Sequence, residues 1–148
     1  MQKISEIIGK GSAEMTLSVD ELQEIVKKSF ASIPSNSKVL AIIPDTSRDD
    51  NTHLLFPKLA EMLPNLDALV AQGTHPPISE SEKFAKIGLQ NFKGKIFDHD
   101  WKNPDALTKI GVITGKEISE ITSGTFSQDV EITVNKLIFD YDYLLILG

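Results

Sequence analysis

Two short polar segments carry side chains that can exchange protons and bind anions, and each segment follows an apolar run. The residues of interest are Asp45, Thr46, Ser47 and Arg48 in the first segment, and Gly73, Thr74 and His75 in the second. Histidine gains and loses a proton near neutral pH, and the planar fork of arginine binds a carboxylate or a phosphate through two hydrogen bonds. These residue types predict one acid–base and anion-binding site, provided that the fold brings both segments together.

The first segment has two interpretations. In the functional one, Arg48 binds a carboxylate or phosphate, and Asp45 orients either this arginine or a neighbouring histidine. In the other, the segment caps the following helix, because Asp, Thr and Ser side chains accept hydrogen bonds from backbone N–H groups at helix starts. Arg48 would then pair with Asp49 or Asp50. Both interpretations are open on the sequence alone.

His75 also has two interpretations. Gly73 permits a close backbone approach or a positive φ, and Pro76 and Pro77 hold the following segment extended. A histidine presented in this way can act as a general acid or base. The alternative is a histidine that only hydrogen-bonds the backbone of its own turn.

The two other histidines give little support for a metal site. His53 lies on the early face of a predicted helix, where we expect solvent exposure or a capping contact. His99 stands between Asp98 and Asp100, but no HxxxH or HxH spacing supports metal binding there. The glycines form neither a GxGxxG fingerprint nor a Walker-type phosphate loop. No metal ligands are therefore predicted in this chain, and the sequence assigns no cofactor-binding residues.

Composition narrows the class of protein. The 148 residues are 41% hydrophobic and 24% charged, with a formal net charge of −6 and a pI near 5.0. An acidic chain without a basic run argues against nucleic-acid and membrane-surface partners. Cysteine is absent, which excludes disulfides and thiolate metal sites. We expect a cytoplasmic protein, because the N-terminus has no apolar signal-peptide core and no stretch is long enough to span a membrane.

Hydrophobic periodicity predicts alternating helices and strands in the first two thirds of the chain. Helices are predicted at 19–31, from Thr52 onward with a bend at Pro57, and from the capping pair Ser79 and Glu82 through Ile87. Strands are predicted at 38–43, 67–72 and 95–98, with a short first strand at 13–18.

The last third is harder to interpret. Residues 111–124 are taken as strands broken by Gly111, Gly115 and Gly124, with a hairpin insertion as one arrangement. A strand at 131–134, a helical turn at 136–141 and a final apolar strand at 143–147 complete the prediction.

This alternation predicts an α/β fold, a Rossmann-like three-layer sandwich with a mainly parallel sheet and helices on both faces. Ligands of such sheets bind at the carboxyl ends of strands, where both polar segments lie. The last strand runs to Leu147 and Gly148, at the edge where a functional loop would start. We therefore expect residues 1–148 to form a single α/β domain, the N-terminal fragment of a longer two-domain protein.

From about residue 12 onward, the chain resembles the N-terminal part of the nickel-pincer-nucleotide lactate racemase family. That family carries Asp-x-Thr-Arg-Pro after one strand and Gly-x-His-Arg-Pro after the next. The matching stretches here are DTSR at 45–48, GTHPP at 73–77, FDHDW with NPDAL at 97–107, and ITVNKLIFDYDYLLILG at 132–148. Three positions depart from the family pattern, namely Ser47, Asp49 and Pro76. These departures change the neighbourhood of the site, so the resemblance leaves the identity of the substrate open.

The resemblance implies an enzyme that interconverts enantiomers or epimers of a 2-hydroxy acid by hydride transfer to a nickel pincer nucleotide. It implies that His75 is one of two acid–base histidines, that Arg48 holds the substrate carboxylate, and that Asp45 fixes the local geometry. Thr46, Ser47, Gly73 and Thr74 would complete the substrate-binding segments. The attachment lysine and the nickel-ligating histidine would lie in the C-terminal remainder of the protein. We therefore expect this chain alone to be inactive and to bind no cofactor.

Two other functions compete with this one. A non-catalytic module could hold a small anion at Arg48 and the strand-end amides. A hydrolase could use His75 with Asp45, but no serine lies in a GxSxG nucleophile elbow.

Overall fold

The computed structural model describes residues 7–148, which form one parallel sheet with helices and one antiparallel hairpin. The parallel sheet has the order β3 (Ile96–Asp98), β2 (Leu66–Val70), β1 (Val39–Ile43), β6 (Tyr143–Ile146), and the hairpin pairs β4 (Leu107–Ile113) with β5 (Val130–Asn135). The helices are α1 (Val19–Phe30), α2 (Thr52–Met62), α3 (Glu80–Ile87) and α4 (Gly115–Ile121), with 3-10 turns at Pro104–Ala106 and Lys136–Asp140.

The register of the parallel strands brings their carboxyl ends to one edge of the sheet. Ile43 at the end of β1 pairs with Val70 at the end of β2, and Val70 pairs with Asp98 at the end of β3. β1 has a neighbour on each side and almost no exposed surface, which explains its unbroken apolar sequence VLAII. The loops that follow β1 and β2 therefore leave the sheet side by side.

The core lies between one face of this sheet and helices α1 to α3. Alternate strand residues point into it, since successive side chains of a strand face opposite ways. Its buried members are Val26, Val39, Ala41, Ile43, Phe56, Leu59, Leu63, Leu66, Ala68, Val70, Ile87, Leu145 and Leu147. Burial of this apolar surface is the main force that holds the helices against the sheet.

The opposite face of the sheet is covered unevenly. Leu40 in β1 and Leu69 in β2 are buried there. In β6, by contrast, Leu144 is 43% exposed and Ile146 is 82% exposed. The apolar face of the sheet is therefore open at its β6 side.

The hairpin β4–β5 stands apart from the core. Among residues 104–135, only Gly115 is buried. Ile113 pairs with Val130 and Gly111 with Ile132 on one face, where Val130 is 45% and Ile132 is 37% exposed. An isolated two-stranded hairpin is marginally stable in water, so this apolar face is available for packing against another surface.

The structure confirms the predicted fold class, a mainly parallel sheet flanked by helices, and it corrects two local predictions. Residues 13–18 form no strand; Ser18 instead caps α1 through a capping box with Glu21. Within 111–124, residues 115–121 form α4 rather than a strand. The overlooked signal is Thr114 followed by Glu117, which form a capping box like those of α1 and α3.

Pro57 lies inside α2, and the helix continues through it. A proline cannot donate to the carbonyl four residues earlier, here that of His53. In the folded chain this carbonyl faces Gly88, where a Cβ atom would lie 2.2 Å from the oxygen. Glycine at 88 therefore permits close packing of α2 against the end of α3. No helix among residues 7–148 has the length and apolar character needed to cross a membrane.

Candidate functional site

The loops after β1 and β2 meet at the carboxyl edge of the sheet. Asp45 lies two residues beyond β1, and His75 lies five residues beyond β2. The register of the two strands places both loops at the same level. Residues 30 positions apart in sequence are thereby brought into direct contact.

Asp45 and His75 form a hydrogen-bonded pair. Oδ2 of Asp45 lies 2.6 Å from Nδ1 of His75, and the side chains are 6% and 58% exposed, respectively. The carboxylate is thus buried beneath the imidazole, while the ring reaches solvent. A buried acid that holds an exposed histidine is the arrangement that orients a proton-transferring base in several enzyme classes.

The Asp45 carboxylate is held in its ionised form. Its Oδ1 accepts hydrogen bonds from the Ser47 hydroxyl at 2.5 Å and from the Ser47 backbone N–H at 2.9 Å. The Ser47 hydroxyl contributes most to lowering the pKa of Asp45 to about 2; burial opposes this shift, and the contact with His75 adds to it. Asp45 is therefore negatively charged at neutral pH.

This charge decides the tautomer of His75. An ionised carboxylate only accepts hydrogen bonds, so Nδ1 of a neutral His75 carries the proton and donates it toward Asp45. Nε2 is left with its lone pair, and it has no hydrogen-bond partner among residues 7–148. A neutral ring in this tautomer can accept a proton at Nε2.

A tight turn presents the histidine. The backbone N–H of His75 donates to the carbonyl of Gln72 at 3.0 Å, and Gly73 has φ of 58°. This left-handed conformation favours glycine, as the sequence predicted. Thr74 is exposed in the same turn, and Gln72 is buried beneath it.

Arg48 lies in a turn with Asp45. Its backbone N–H donates to the Asp45 carbonyl at 3.3 Å, and its side chain is exposed. Neither Asp49 nor Asp50 forms an ion pair with it in the described part of the chain; Asp50 pairs with Lys86 instead. Within residues 7–148, the side-chain hydrogen bond of His75 is to Asp45 and no hydrogen bond joins His75 to Arg48, although the two residues lie in neighbouring loops.

The capping interpretation of the first segment is wrong. α2 begins at Thr52 with Asn51 as its N-cap, and no side-chain bond caps it there. Asp50 accepts the Thr52 backbone N–H at 2.8 Å, while Asp45 and Ser47 bond each other instead. Thr46 is exposed beside them.

The remaining histidines lie elsewhere. His53 is exposed near the start of α2. His99 follows β3, and its Nδ1 lies 3.2 Å from Nδ2 of Asn135 at the base of the hairpin. Within residues 7–148, no three His, Asp or Glu side chains lie together in a way that could hold a metal ion.

Two buried ion pairs on α3 escaped the sequence analysis. Lys83 pairs with Asp98 at 2.7 Å, and Lys86 pairs with Asp50. The signal was present, because Lys83 and Lys86 are three residues apart and therefore share one side of a helix. Their acidic partners could not be inferred, since they lie 15 and 36 residues away in sequence.

The site is open to solvent rather than enclosed. A cleft of about 680 Å³ lies at the opposite, amino-terminal edge of the sheet, where Tyr141 donates to Asp67 at 2.6 Å. Another of about 400 Å³ lies beside α1. Neither is lined by Asp45, Arg48 or His75. The two loops therefore lie outside both clefts.

Comparison with known proteins extends these observations. A crystal structure of a protein from Thermotoga maritima superposes with a TM-score of 0.78 at 30% sequence identity, over 88% of this chain. The chain spans only 33% of the length of that relative. No curated protein sequence matches the present chain. Residues 12–148 match the family model described as the lactate racemase N-terminal domain. The chain therefore belongs to the lactate racemase N-terminal domain family.

Proposed function

We propose that this chain supplies one wall of the active site of a racemase or epimerase acting on a 2-hydroxy acid. The observation that carries the proposal is the pairing of buried, ionised Asp45 with exposed His75 at 2.6 Å. That pair creates a base at the edge of the sheet where α/β proteins bind ligands. Arg48, in the adjoining turn, supplies a cation for the substrate carboxylate.

The roles of the three residues follow from their chemistry. Arg48 binds the carboxylate through its planar fork and so restricts the position of the neighbouring carbon. Nε2 of His75 accepts the proton of the 2-hydroxyl group. The proton makes the ring an imidazolium, whose charge the buried Asp45 carboxylate stabilises without taking the proton itself. Return of the same proton from Nε2 restores the hydroxyl group.

The nickel pincer nucleotide implied by the family does not fit the residues of this chain. No group of three candidate metal ligands lies together among residues 7–148, and Nδ1 of His75 is committed to Asp45. We therefore assign no step to that group here. Its ligands and its attachment lysine are proposed to belong to a further part of the protein.

The exposed apolar surface of this chain is suited to packing against a further domain. The Thermotoga maritima relative is about three times as long as the region matched. Apolar side chains are exposed on the hairpin, at Val130 and Ile132, and on β6, at Leu144 and Ile146. Apolar surface of this kind is typical of faces that pack against another domain. We propose that such a domain covers these faces and closes the site.

Ligand titration followed by NMR tests the proposal on this chain. We expect both enantiomers of lactate to shift the imidazole signals of His75 and the Nε–H signal of Arg48. Propionate, which has the carboxylate but no hydroxyl group, should shift Arg48 alone. Arg48→Lys keeps the charge but loses the bidentate fork, so it should weaken binding of both acids.

The same titration distinguishes the proposed function from a non-catalytic anion-binding module. If lactate and propionate shift the same signals and leave His75 unchanged, the chain is an anion-binding module and the proposed proton transfer is wrong. A response of His75 that persists when Arg48 is replaced by Ala would contradict the role given to the arginine.

A further inference from the structure

Lys86 connects the helix after the His75 loop to the loop that carries Arg48. It lies in the last turn of α3, and its Nζ donates to the backbone carbonyl of Arg48 at 2.9 Å and to the carboxylate of Asp50. The side chains of Lys86 and Asp50 are 9% and 7% exposed. Little of this pair is therefore accessible to water.

The Asp50 carboxylate is ionised despite its burial. Burial alone would raise the pKa of Asp50, but hydrogen bonds from Lys86 and Thr52 hold it below its ordinary value. A buried ion pair contributes little net stability, because desolvation of two charges offsets their attraction. The pair does restrict geometry. The Lys86 ammonium must lie where both the Arg48 carbonyl and the Asp50 carboxylate can accept hydrogen bonds from it.

A second ion pair connects the same helix to the end of strand β3. The side chain of Lys83 is 6% exposed, and its Nζ donates to Asp98 at the end of β3 and to Glu80. The segment after β2 is thus bound to the β1 loop through Lys86 and to β3 through Lys83. Of these two lysines, Lys86 alone bonds the segment that bears Arg48.

We propose that Lys86 is a positioning residue that holds the backbone of Arg48 and so fixes the point of the β1 loop from which the arginine side chain extends. This inference rests on the proposed function, because it gives Arg48 a substrate to orient. The backbone N–H of Arg48 makes only a long bond of 3.3 Å to the Asp45 carbonyl. The ammonium of Lys86 adds a second, shorter bond to this residue, through the Arg48 carbonyl at 2.9 Å.

A double variant removes the pair without leaving a buried charge. In Lys86→Met with Asp50→Asn, the asparagine oxygen still accepts the Thr52 N–H that Asp50 accepts at 2.8 Å. The matched control is Lys83→Met with Asp98→Asn, which removes the other buried lysine–aspartate pair of α3. Both double variants lose one ion pair of the same helix, so a general loss of stability affects both.

Two measurements on the 148-residue chain test whether Lys86 positions Arg48. First, the heteronuclear NOE of the Arg48 backbone amide should fall in the Lys86 double variant and stay at the parent value in the Lys83 double variant. Second, the Kd for lactate, measured by NMR titration, should rise about tenfold in the Lys86 double variant alone. The imidazole nitrogen shifts of His75 without ligand should not change in either variant.

Each outcome has a definite meaning. An unchanged Arg48 NOE in the Lys86 double variant overturns the positioning role, as does an equal fall in both double variants. If the parent chain binds no lactate, the proposed function fails, but the NOE comparison still decides whether Lys86 orders Arg48. Thermal unfolding shows that each double variant is folded, and it serves as no readout of positioning.

Discussion

Oδ2 of Asp45 lies 2.6 Å from Nδ1 of His75, yet the acid is almost fully buried and the imidazole is more than half exposed. This difference in exposure gives the two side chains different roles. The carboxylate stays charged because Ser47 solvates it in place of water. The ring stays accessible because its turn projects from the carboxyl edge of the sheet.

Asp45→Asn should reverse the tautomer of His75. The asparagine oxygen can still accept from Ser47, which directs its NH2 group toward Nδ1 of the imidazole. Nδ1 must then accept, so the proton moves to Nε2 and the base is lost. Nitrogen-15 chemical shifts of the ring should show the exchange of roles. Unchanged nitrogen shifts would mean that Asp45 does not determine the tautomer.

The stability that Asp45 contributes to the folded chain should be lost at acidic pH. Its folded-state pKa, about 2, lies below its ordinary value of 3.8, so its contribution is present above pH 3.8 and is lost as pH falls toward 2. That contribution is about 2 kcal/mol at neutral pH. Urea unfolding at pH 6 and pH 2 measures it.

Asp45→Asn is the control for that series. The carboxylates of Asp50, Glu82 and Glu117 also have lowered pKa values, so the parent alone reports several groups. The stability difference between parent and variant should shrink as pH falls from 6 to 2. A constant difference would show that Asp45 titrates alike in the folded and unfolded chains.

In the complete protein, the proposed function predicts that His75→Ala reduces racemisation by about 10²–10⁴-fold, the usual loss when a general acid–base group is removed. The loss should occur from either enantiomer, because a racemisation cycle requires proton transfer in both directions. Initial rates with each enantiomer measure it. Racemisation at the parental rate would leave His75 as a turn residue only.

Two glycines with positive φ should respond differently to alanine. Gly73→Ala places a Cβ in open space at φ of 58°, so it should cost about 1–2 kcal/mol, the strain of a left-handed residue. Gly88→Ala adds a Cβ 2.2 Å from the His53 carbonyl oxygen at φ of 68°. Its cost should exceed about 3 kcal/mol, because the backbone must also move. Equal urea midpoints for both variants would contradict the close packing of α2 and α3.

Nickel should not stabilise this chain. A ligand that binds only the folded state raises the melting temperature, so thermal unfolding with one equivalent of nickel should match unfolding without it. A stoichiometric rise would reveal a metal site that we do not assign. His53→Ala and His99→Ala would then show which histidine holds the metal.

Local sequence patterns were sufficient for most of the fold. The apolar run of β1, the capping pair Ser79–Glu82 of α3 and the glycine at 73 each depend on neighbours in the chain, and each was predicted. Helix α4 could have been predicted in the same way from Thr114 and Glu117. The glycines at 111, 115 and 124 favoured broken strands instead.

The sequence by itself determined that an acid, an arginine and a histidine follow two neighbouring strands, because strand and turn preferences are local. Only the tertiary structure decided which of them meet. Asp45 could have capped α2 or paired with Arg48, and the parallel register of β1 with β2 brings it to His75 instead. The partners of Lys83 and Lys86 were undetermined for the same reason. Contacts between residues distant in sequence depend on how the sheet aligns its strand ends, and no local pattern encodes that alignment.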